Sequence, residues 1–395
     1  MKNSIMAQLK LICILSIMVA GVACNQSDQQ SKVVVQNTLD IERSFETVVL
    51  TREALKVEDL SMIGLRNTQS NEVLITQLID IDGDEIYDEL LFQPRVGPNS
   101  KETYEVVKNN EVNKSDVVDY CYSRFVPERT DDYAWENDKV AFRMFGPTAQ
   151  KMVEDKVRGG TLTSGVDLWL KRVDYPIINK WYKKTTEGKG SYHEDTGEGL
   201  DNFHVGVSRG VGGVAVKKDD GYYFSKNFTD WKTITTGPIR TSFQLDYEAW
   251  DAGGNLIKES KTISLDYGNN MSKFETSIEG SDQISAGLTL HEKDGIVTAN
   301  SENGWVSYWE PHGDSELGTA ILTSPDSFVG FEEYNVDAKD LSNAYAHLKV
   351  QNNKVIYYAG FGWKKSGQFN NNEEWEAYLD EFADKIGSPL KVSVQ

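Results

Sequence analysis

Cysteine is scarce in this sequence, with only three among 395 residues. Cys13 lies inside an N-terminal apolar segment and Cys24 follows its end, so Cys121 is the one cysteine expected to remain free in a mature chain. An intramolecular disulfide is thereby excluded. Cys121 lies between two tyrosines in an apolar, strand-like stretch, and we expect a buried structural thiol there rather than a nucleophile.

Basic residues are also fewer than acidic ones: the sequence has 41 Lys and Arg and 61 Asp and Glu, which gives a net charge of -20. Nucleic acid is therefore excluded as a partner, since phosphate binding needs an excess of basic residues. One segment, residues 168–192, instead has more basic than acidic residues. It either attracts an anionic ligand or is a solvated basic loop; its basic residues are Lys171, Arg172, Lys180, Lys183, Lys184 and Lys189.

The N-terminal apolar run, Leu11–Ala23, follows two lysines and is too short for a permanent membrane span. Small residues precede Cys24, as lipoprotein processing requires. We therefore expect a signal peptide over residues 1–23, acylation of Cys24 and a flexible tether over 24–35. Gly21 stands where a leucine is usual, so an ordinary cleaved signal is the alternative. Either route predicts an exported protein of the periplasm or cell surface, and acylation predicts an outer-membrane lipid anchor.

The rest of the chain consists of short alternating or apolar runs separated by Gly, Asn, Asp and Pro, which is typical of antiparallel β-structure. The sequence predicts an all-β protein: a small N-terminal β-sandwich over residues 36–115 and a large antiparallel β-sandwich over 116–395. One helix is expected after Asn372, where Trp375, Tyr378, Leu379, Phe382 and Ile386 recur at helical spacing before Gly387.

An acidic turn lies in the small domain. Four aspartates flank Gly83 between two predicted strands: Asp80, Asp82, Asp84 and Asp88. Clustered oxygen ligands of this kind suit Ca²⁺, but the glycine is not at the position of an EF-hand loop. The sequence favours an acidic hairpin turn, with a divalent-cation site as the alternative.

Polar and aromatic residues are densest between Asp131 and Arg240. One block carries Trp135, Asn137 and Arg143, and strand alternation places Phe142 and Met144 on one face with Arg143 on the other. A second block is glycine-rich and polar, so it can approach a ligand closely. Mixed nitrogen and oxygen metal ligands could come from His193, Asp195, Glu198 and His204. Ser208 lacks the context of a nucleophile elbow.

Histidine and aromatic residues recur at predicted strand ends farther on, around His291, Tyr308 and Trp363. Rings of this kind either form platforms for sugar faces or belong to the core, and their density favours the core.

Six runs resemble a known family: Tyr133–Arg143, Lys171–Pro176, Tyr192–Asp201, Ser208–Gly210, Gly237–Arg240 and Ala359–Trp363. Through them the chain is similar, over nearly its whole mature length, to a bacterial domain-of-unknown-function family of polysaccharide-utilisation loci. One member of that family is an oligosaccharide dehydratase of ulvan degradation. The resemblance implies a galactose-mutarotase-like sandwich that removes water from a non-reducing-end uronate, leaving a 4,5-unsaturated sugar. Uronate-containing sulfated oligosaccharides are then the expected substrates.

Such an elimination needs a cation for the carboxylate, a base for the C5 proton and an acid for the C4 hydroxyl. Candidate cations are Arg209, Arg143 and Lys171. His193 is the first candidate base and His291 the second, while Tyr192 or Tyr308 would be the acid and Glu198 or Asp201 would orient the base. Further substrate contacts are expected from Trp135, Asn137 and Trp363. No cofactor is assigned beyond an optional divalent metal. An oligosaccharide-binding lipoprotein and a mutarotase or epimerase are the competing functions.

Overall fold

The computed structural model describes residues 31–108, 117–219 and 221–395. The predicted signal peptide, Cys24 and tether residues up to 30 lie outside the described residues, as does the boundary expected near residue 115. Residues Ser31–Gln395 form one compact unit.

Strands are the main regular secondary structure of the described chain. These are β1 Lys32–Gln36, β2 Val48–Thr51, β3 Ile63–Asn67, β4 Thr76–Ile79, β5 Glu89–Phe92, β6 Lys101–Lys108, β7 Tyr122–Val126, β8 Asp132–Glu136, β9 Ala141–Met144, β10 Asp167–Lys171, β11 Gly199–Leu200, β12 Val211–Lys218, β13 Gly221–Tyr223, β14 Asp230–Thr235, β15 Arg240–Asp246, β16 Trp250–Asp251, β17 Leu256–Asp266, β18 Met271–Glu279, β19 Gln283–Thr289, β20 Ile296–Asn300, β21 Trp305–His312, β22 Ser315–Leu322, β23 Phe328–Tyr334, β24 Asn343–Lys349, β25 Lys354–Trp363 and β26 Lys391–Val394. Within the described residues, four α-helices accompany them: α1 Arg52–Leu55, α2 Pro147–Glu154, α3 Ile178–Thr186 and α4 Asn372–Gly387.

Two small sheets hold the N-terminal part, ordered β2-β5-β4 and β26-β1-β6-β3. The prediction of a flexible tether is wrong for its last residues, because Lys32–Gln36 is a strand with Val33 and Val35 fully buried. The C-terminal strand β26 pairs antiparallel with β1, placing Val394 opposite Val33. The small sheets are therefore completed by the far end of the chain, and the division into two domains at residue 115 stays a prediction.

The large part contains three antiparallel sheets around one core. A nine-stranded sheet runs β14-β15-β17-β18-β25-β22-β21-β20 with β16 paired to β17, and two five-stranded sheets run β11-β10-β9-β8-β7 and β13-β12-β19-β24-β23. Strands β12 and β19 lie against β22 of the nine-stranded sheet. All three sheets contribute to the core, for example through Trp135, Phe243 and Ile284. The predicted all-β antiparallel sandwich is confirmed, while its galactose-mutarotase type stays a prediction.

The helix expected after Asn372 is confirmed as α4. Asn371 caps it, because its side chain accepts a hydrogen bond from the Glu374 backbone N–H. Its buried residues Trp375 and Leu379 pack against Trp305 and Trp309 of β21, so the helix is part of the core. Within the described residues, no helix has the length and apolarity needed to cross a membrane.

Helices α2 and α3 were not predicted. Pro147 supplies the first residue of α2, where its missing N–H costs nothing. Helix α3 buries Ile178, Trp181 and Tyr182 against Trp169 of β10. Val153 of α2 lines the cleft described below, and α3 leads into the loop that carries His193.

Candidate active site

An open cleft of about 620 Å³ lies beside β9 and the loop that follows α3. Its charged and imidazole-bearing side chains are Arg129, Arg143, His193, Asp201 and His204. Its remaining wall comes from Phe145, Val153, residues 160–162, Asn202, Phe203 and residues 205–207. Of the residues predicted for the site, the structure thus brings His193, Arg143 and Asp201 to one cleft.

One ring nitrogen of His193 is hydrogen-bonded to the backbone, while the side chain as a whole is largely exposed. Its Nδ1 lies 2.6 Å from the backbone carbonyl oxygen of Asp201, and its side chain is 59% exposed. Because a carbonyl oxygen only accepts, Nδ1 carries a hydrogen, and the neutral ring therefore has its lone pair on Nε2. A positioned imidazole with a free Nε2 can act as a general base.

Arg143 is surrounded by carboxylates. It donates to Asp167 through Nε at 2.8 Å and to Asp201 through Nη2 at 3.0 Å, and Asp132 lies 3.8 Å from Nη1. As predicted, it lies on the face of β9 opposite Phe142 and Met144 and packs over Trp169. Since Arg143 already has three acidic partners, it fixes Asp201, and through it His193, rather than offering a free cation.

Two carboxyl groups beside Arg143, those of Asp132 and Asp167, are harder to ionise than an ordinary aspartate. Burial raises the pKa of Asp132 to about 6, although the charges of Arg143 and Arg129 oppose the shift. Burial also raises the pKa of Asp167 well above its usual value against the same opposition from Arg143. Asp132 and Asp167 therefore keep their protons to a higher pH than ordinary aspartates do.

Arg129 is the cation that the sequence interpretation missed. Its Nε donates to the Tyr192 hydroxyl oxygen at 3.1 Å and its Nη1 donates to Thr130 at 3.0 Å. In the described part of the chain its Nη2 has no hydrogen-bond partner, and the half-buried side chain lines the cleft. The only feature of the sequence that could have indicated a role for Arg129 is its position just before the Asp131-Asp132 pair.

Tyr192, a predicted acid, is buried beneath the cleft with 3% exposure. Its oxygen accepts from Arg129 and lies 3.5 Å from Arg143 Nη1. The residue therefore positions the two arginines. His204 is better exposed: its side chain is 59% accessible, and its Nε2 lies 3.0 Å from Asp340.

Lys171, Asn137 and Trp135 do not fit the ligand-binding roles expected of them, because each is fully buried. Lys171 forms an ion pair with Glu136 at 2.9 Å. The Glu136 carboxylate also accepts hydrogen bonds from the backbone N–H groups of Ile177 and Ile178, at the start of α3. Asn137 bonds the carbonyls of Asp266 and Asn269, and Trp135 donates to Ser272. All three hold elements of the fold together.

Arg209 and Ser208 are likewise structural. Arg209 is fully buried, donates to Ser164, Thr163 and the Val207 carbonyl, and packs 3.8 Å from the Phe224 ring centre. Burial lowers its pKa to about 10. A uronate could not reach it. The hydroxyl of Ser208 is buried against Thr289.

The mixed metal site expected from His193, Asp195, Glu198 and His204 does not assemble. Asp195 bonds Arg172 and two backbone N–H groups of its own loop. Glu198 accepts from Tyr175 and Lys180, outside the cleft, so it does not orient His193 either. His204 is paired with Asp340 instead.

The aromatic residues near strand ends belong to the core. Tyr308 and Trp363 are 1% and 2% exposed, so neither offers a sugar platform. His291 does not fit the role of second base, because both its ring nitrogens face acceptors. Nδ1 lies 2.7 Å from Glu310 and Nε2 lies 3.0 Å from the His204 carbonyl. Burial favours the neutral ring, yet Glu310 holds the pKa of His291 above its usual value.

The four aspartates around Gly83 form a turn that bonds to its own backbone. Asp80 accepts from Gly83 and Glu85, and Asp84 accepts from Ile86. Carboxylate oxygens of Asp80, Asp82 and Asp88 lie within 4.8 Å of one another, while Asp84 is outside this group. This geometry accords with the acidic hairpin turn. Cys121 is buried, as predicted, and burial raises the pKa of its thiol.

Fold and cleft together define an all-β sandwich protein with a histidine- and arginine-lined cleft on one of its sheets. The chain belongs to the domain-of-unknown-function family DUF4861, whose model matches residues 35–392. A relative from Formosa agariphila, described as uncharacterized protein P7, is 52% identical over 378 residues, covering 94% of this chain and 96% of the relative.

Two solved structures share the fold at low sequence identity. One is an α-mannosidase from Enterococcus faecalis V583, with a TM-score of 0.52 and 10% identity over 93% of this chain. The other is a glycosyl hydrolase family 38 protein from Enterococcus faecalis, with a TM-score of 0.51 and 11% identity over 93% of this chain. The chain spans 46% and 48% of their lengths, so it corresponds to about half of each.

Proposed function

We propose that the protein is an oligosaccharide dehydratase that removes water from the non-reducing-end uronate of ulvan fragments. The observation that supports this proposal is the cleft in which His193 presents a free Nε2 beside Arg129. A base and a guanidinium with an available N–H group are what abstraction of a proton next to a carboxylate requires. A carbohydrate substrate accords with the fold-level likeness to an α-mannosidase.

In the proposed reaction Arg129 binds the uronate carboxylate through its free Nη2. A guanidinium is always charged and donates strongly to carboxylates, so it stabilises the negative charge that develops as the C5 proton leaves. Tyr192 and Thr130 hold Arg129 in place by accepting from its other two nitrogens.

His193 takes the C5 proton on Nε2, and the electron pair of the C5–H bond forms the C4–C5 double bond. The C4–O bond breaks, and the hydroxyl leaves as water after receiving a proton. His204 is the proposed donor, because it is exposed in the same cleft and its ring is oriented by Asp340. Asp201 orients the base through its backbone carbonyl.

The test is to incubate the purified protein with ulvan oligosaccharides that end in a saturated uronate. The proposal expects ultraviolet absorbance of an unsaturated uronate to appear together with loss of the mass of one water. Binding without either change would establish an oligosaccharide-binding protein instead. A stereochemical change without unsaturation would establish a mutarotase or epimerase.

We also propose that the protein is exported and lipid-anchored through Cys24, which would hold the cleft near incoming oligosaccharides. The support is the sequence pattern of residues 1–24. Mass spectrometry of the mature N-terminus should find an acylated cysteine, and an unmodified N-terminus would refute the anchor.

A further inference from the structure

A second cluster of metal-ligating side chains lies behind the wall of the cleft. His291 follows the end of β19, while Glu310 and His312 are two residues apart on β21. Residues i and i+2 of a strand point to the same side, so Glu310 and His312 face His291 together. One ligand atom from each of the three residues lies within 4.8 Å of the others.

The distances within this cluster suit a metal ion. Glu310 Oε1 lies 2.7 Å from His291 Nδ1 and 3.7 Å from His312 Nδ1. Ligand atoms of a tetrahedral zinc ion with bonds of about 2.0–2.1 Å lie roughly 3.3 Å apart. Small side-chain rotations would bring the three atoms to that spacing, with the ion taking the place of the proton on His291 Nδ1.

The outer contacts of the cluster also match a metal centre. His291 Nε2 lies 3.0 Å from the backbone carbonyl of His204, and metal-bound histidines usually donate their second nitrogen to such an oxygen. Phe203 packs edge-on against the His291 ring at 4.6 Å. The His291 ring is thereby fixed with Nδ1 toward Glu310.

His312 is nearly enclosed, and one of its ring nitrogens is unpaired. Its side chain is only 10% exposed, and its buried Nε2 has no hydrogen-bond partner in the described part of the chain. Because no acceptor at Nε2 fixes the tautomer of the ring, the lone pair of Nδ1 can be presented to an ion beside Glu310.

The carboxylate of Glu310 is the most buried group of the cluster. Its side chain is only 2% exposed, and Nδ1 of His291 and of His312 lie 2.7 Å and 3.7 Å from its Oε1, so it is placed to be a ligand together with them. The acidic turn at Asp80 lacks such features, because its carboxylates already bond their own backbone.

We propose that His291, Glu310 and His312 form a binding site for one divalent transition-metal ion, with zinc as the preferred ion. Two imidazoles and one carboxylate select zinc over calcium or magnesium, which prefer oxygen ligands alone. Three protein ligands leave a fourth position open, which is the pattern of catalytic rather than structural zinc sites. The proposal is independent of the dehydratase reaction.

The test is metal binding by the chelator-treated full-length protein. Isothermal titration with Zn²⁺ should give one site per chain, Co²⁺ should give the visible absorption of a site with nitrogen ligands, and Ca²⁺ should not compete. Glu310→Gln and His312→Ala should each weaken Zn²⁺ binding by about tenfold or more.

His347→Ala is the matched control, because His347 is also a half-buried histidine near a carboxylate, Glu332, but has no second histidine beside it. It should bind Zn²⁺ as the wild type does. Wild-type protein without a one-to-one site, or undiminished binding in Glu310→Gln, would overturn the proposal. If either ligand variant fails to fold, ¹⁵N shifts of two histidines on Zn²⁺ addition to the wild type decide the question: shifts support the site, and their absence refutes it.

Discussion

The Nδ1 atom of His193 lies 2.6 Å from the backbone carbonyl oxygen of Asp201, whose carboxylate is bound by Arg143 at 3.0 Å. This arrangement fixes the ring and its tautomer through the backbone. The lone pair of the neutral ring therefore lies on Nε2, and the Asp201 carboxylate lies 3.7 Å from Nδ1. The orientation of the His193 ring, the proposed base, depends on the loop conformation at Asp201 and on the contact of Asp201 with Arg143 of β9.

Replacing His193 by alanine should abolish formation of the unsaturated product, because the proposed base is lost. A positioned general base commonly contributes about 10²–10⁴-fold to a rate. Turnover by ultraviolet absorbance and thermal unfolding should be measured together, and the melting temperature should hardly change since the ring is mostly exposed. Glu194→Ala, at the exposed neighbouring position, is the control. Normal turnover in His193→Ala would remove the assignment.

Replacing Arg129 by alanine should weaken binding of uronate-ended oligosaccharides by about tenfold to a hundredfold, the effect of losing a charged hydrogen bond of about 1.5–3 kcal/mol. Calorimetric titration with the oligosaccharide measures this directly. Arg95→Ala removes an exposed arginine paired with Glu42 in the N-terminal part and should leave binding unchanged. Equal affinities in both variants would contradict the role of Arg129.

Asp132→Asn should change how stability depends on pH. Burial raises the pKa of Asp132 from 3.8 to about 6, so the folded state holds this proton more tightly than the unfolded state. The contribution of Asp132 to the free energy of unfolding is therefore greatest at low pH. It falls as pH rises from about 4 to about 6, by at most about 3 kcal/mol.

The free energy of unfolding in urea should accordingly rise in Asp132→Asn relative to wild type between about pH 4 and about pH 7. Tyr182 donates to Asp132 at 3.2 Å, and the asparagine oxygen can still accept that bond. A difference between the two proteins that is constant with pH would show that Asp132 does not titrate in this range.

Lys171→Met should destabilise the fold by about 3–5 kcal/mol, because it leaves the buried carboxylate of Glu136 without its cation. The double variant Lys171→Met/Glu136→Gln should recover much of that loss, since no unpaired charge then remains. Denaturant unfolding of both variants tests this. A stable Lys171→Met protein with impaired substrate binding would instead favour a ligand-binding role for Lys171.

Local patterns in the sequence were sufficient for the strand-rich architecture, helix α4 and the burial of Cys121. They also placed Arg143 opposite Phe142 and Met144. The reason is that alternation and helical spacing report which face of an element is buried, and burial of that face follows from the hydrophobic effect.

Only the tertiary structure decided which polar residues face the cleft. Lys171 and Arg209 look like ligand-binding cations in sequence, but partners from distant segments enclose them. Arg129 reaches the cleft from the turn before β8, and His291 meets Glu310 from a different sheet. Such contacts between residues far apart in the chain depend on sheet register and loop conformation, and they leave no local pattern in the sequence.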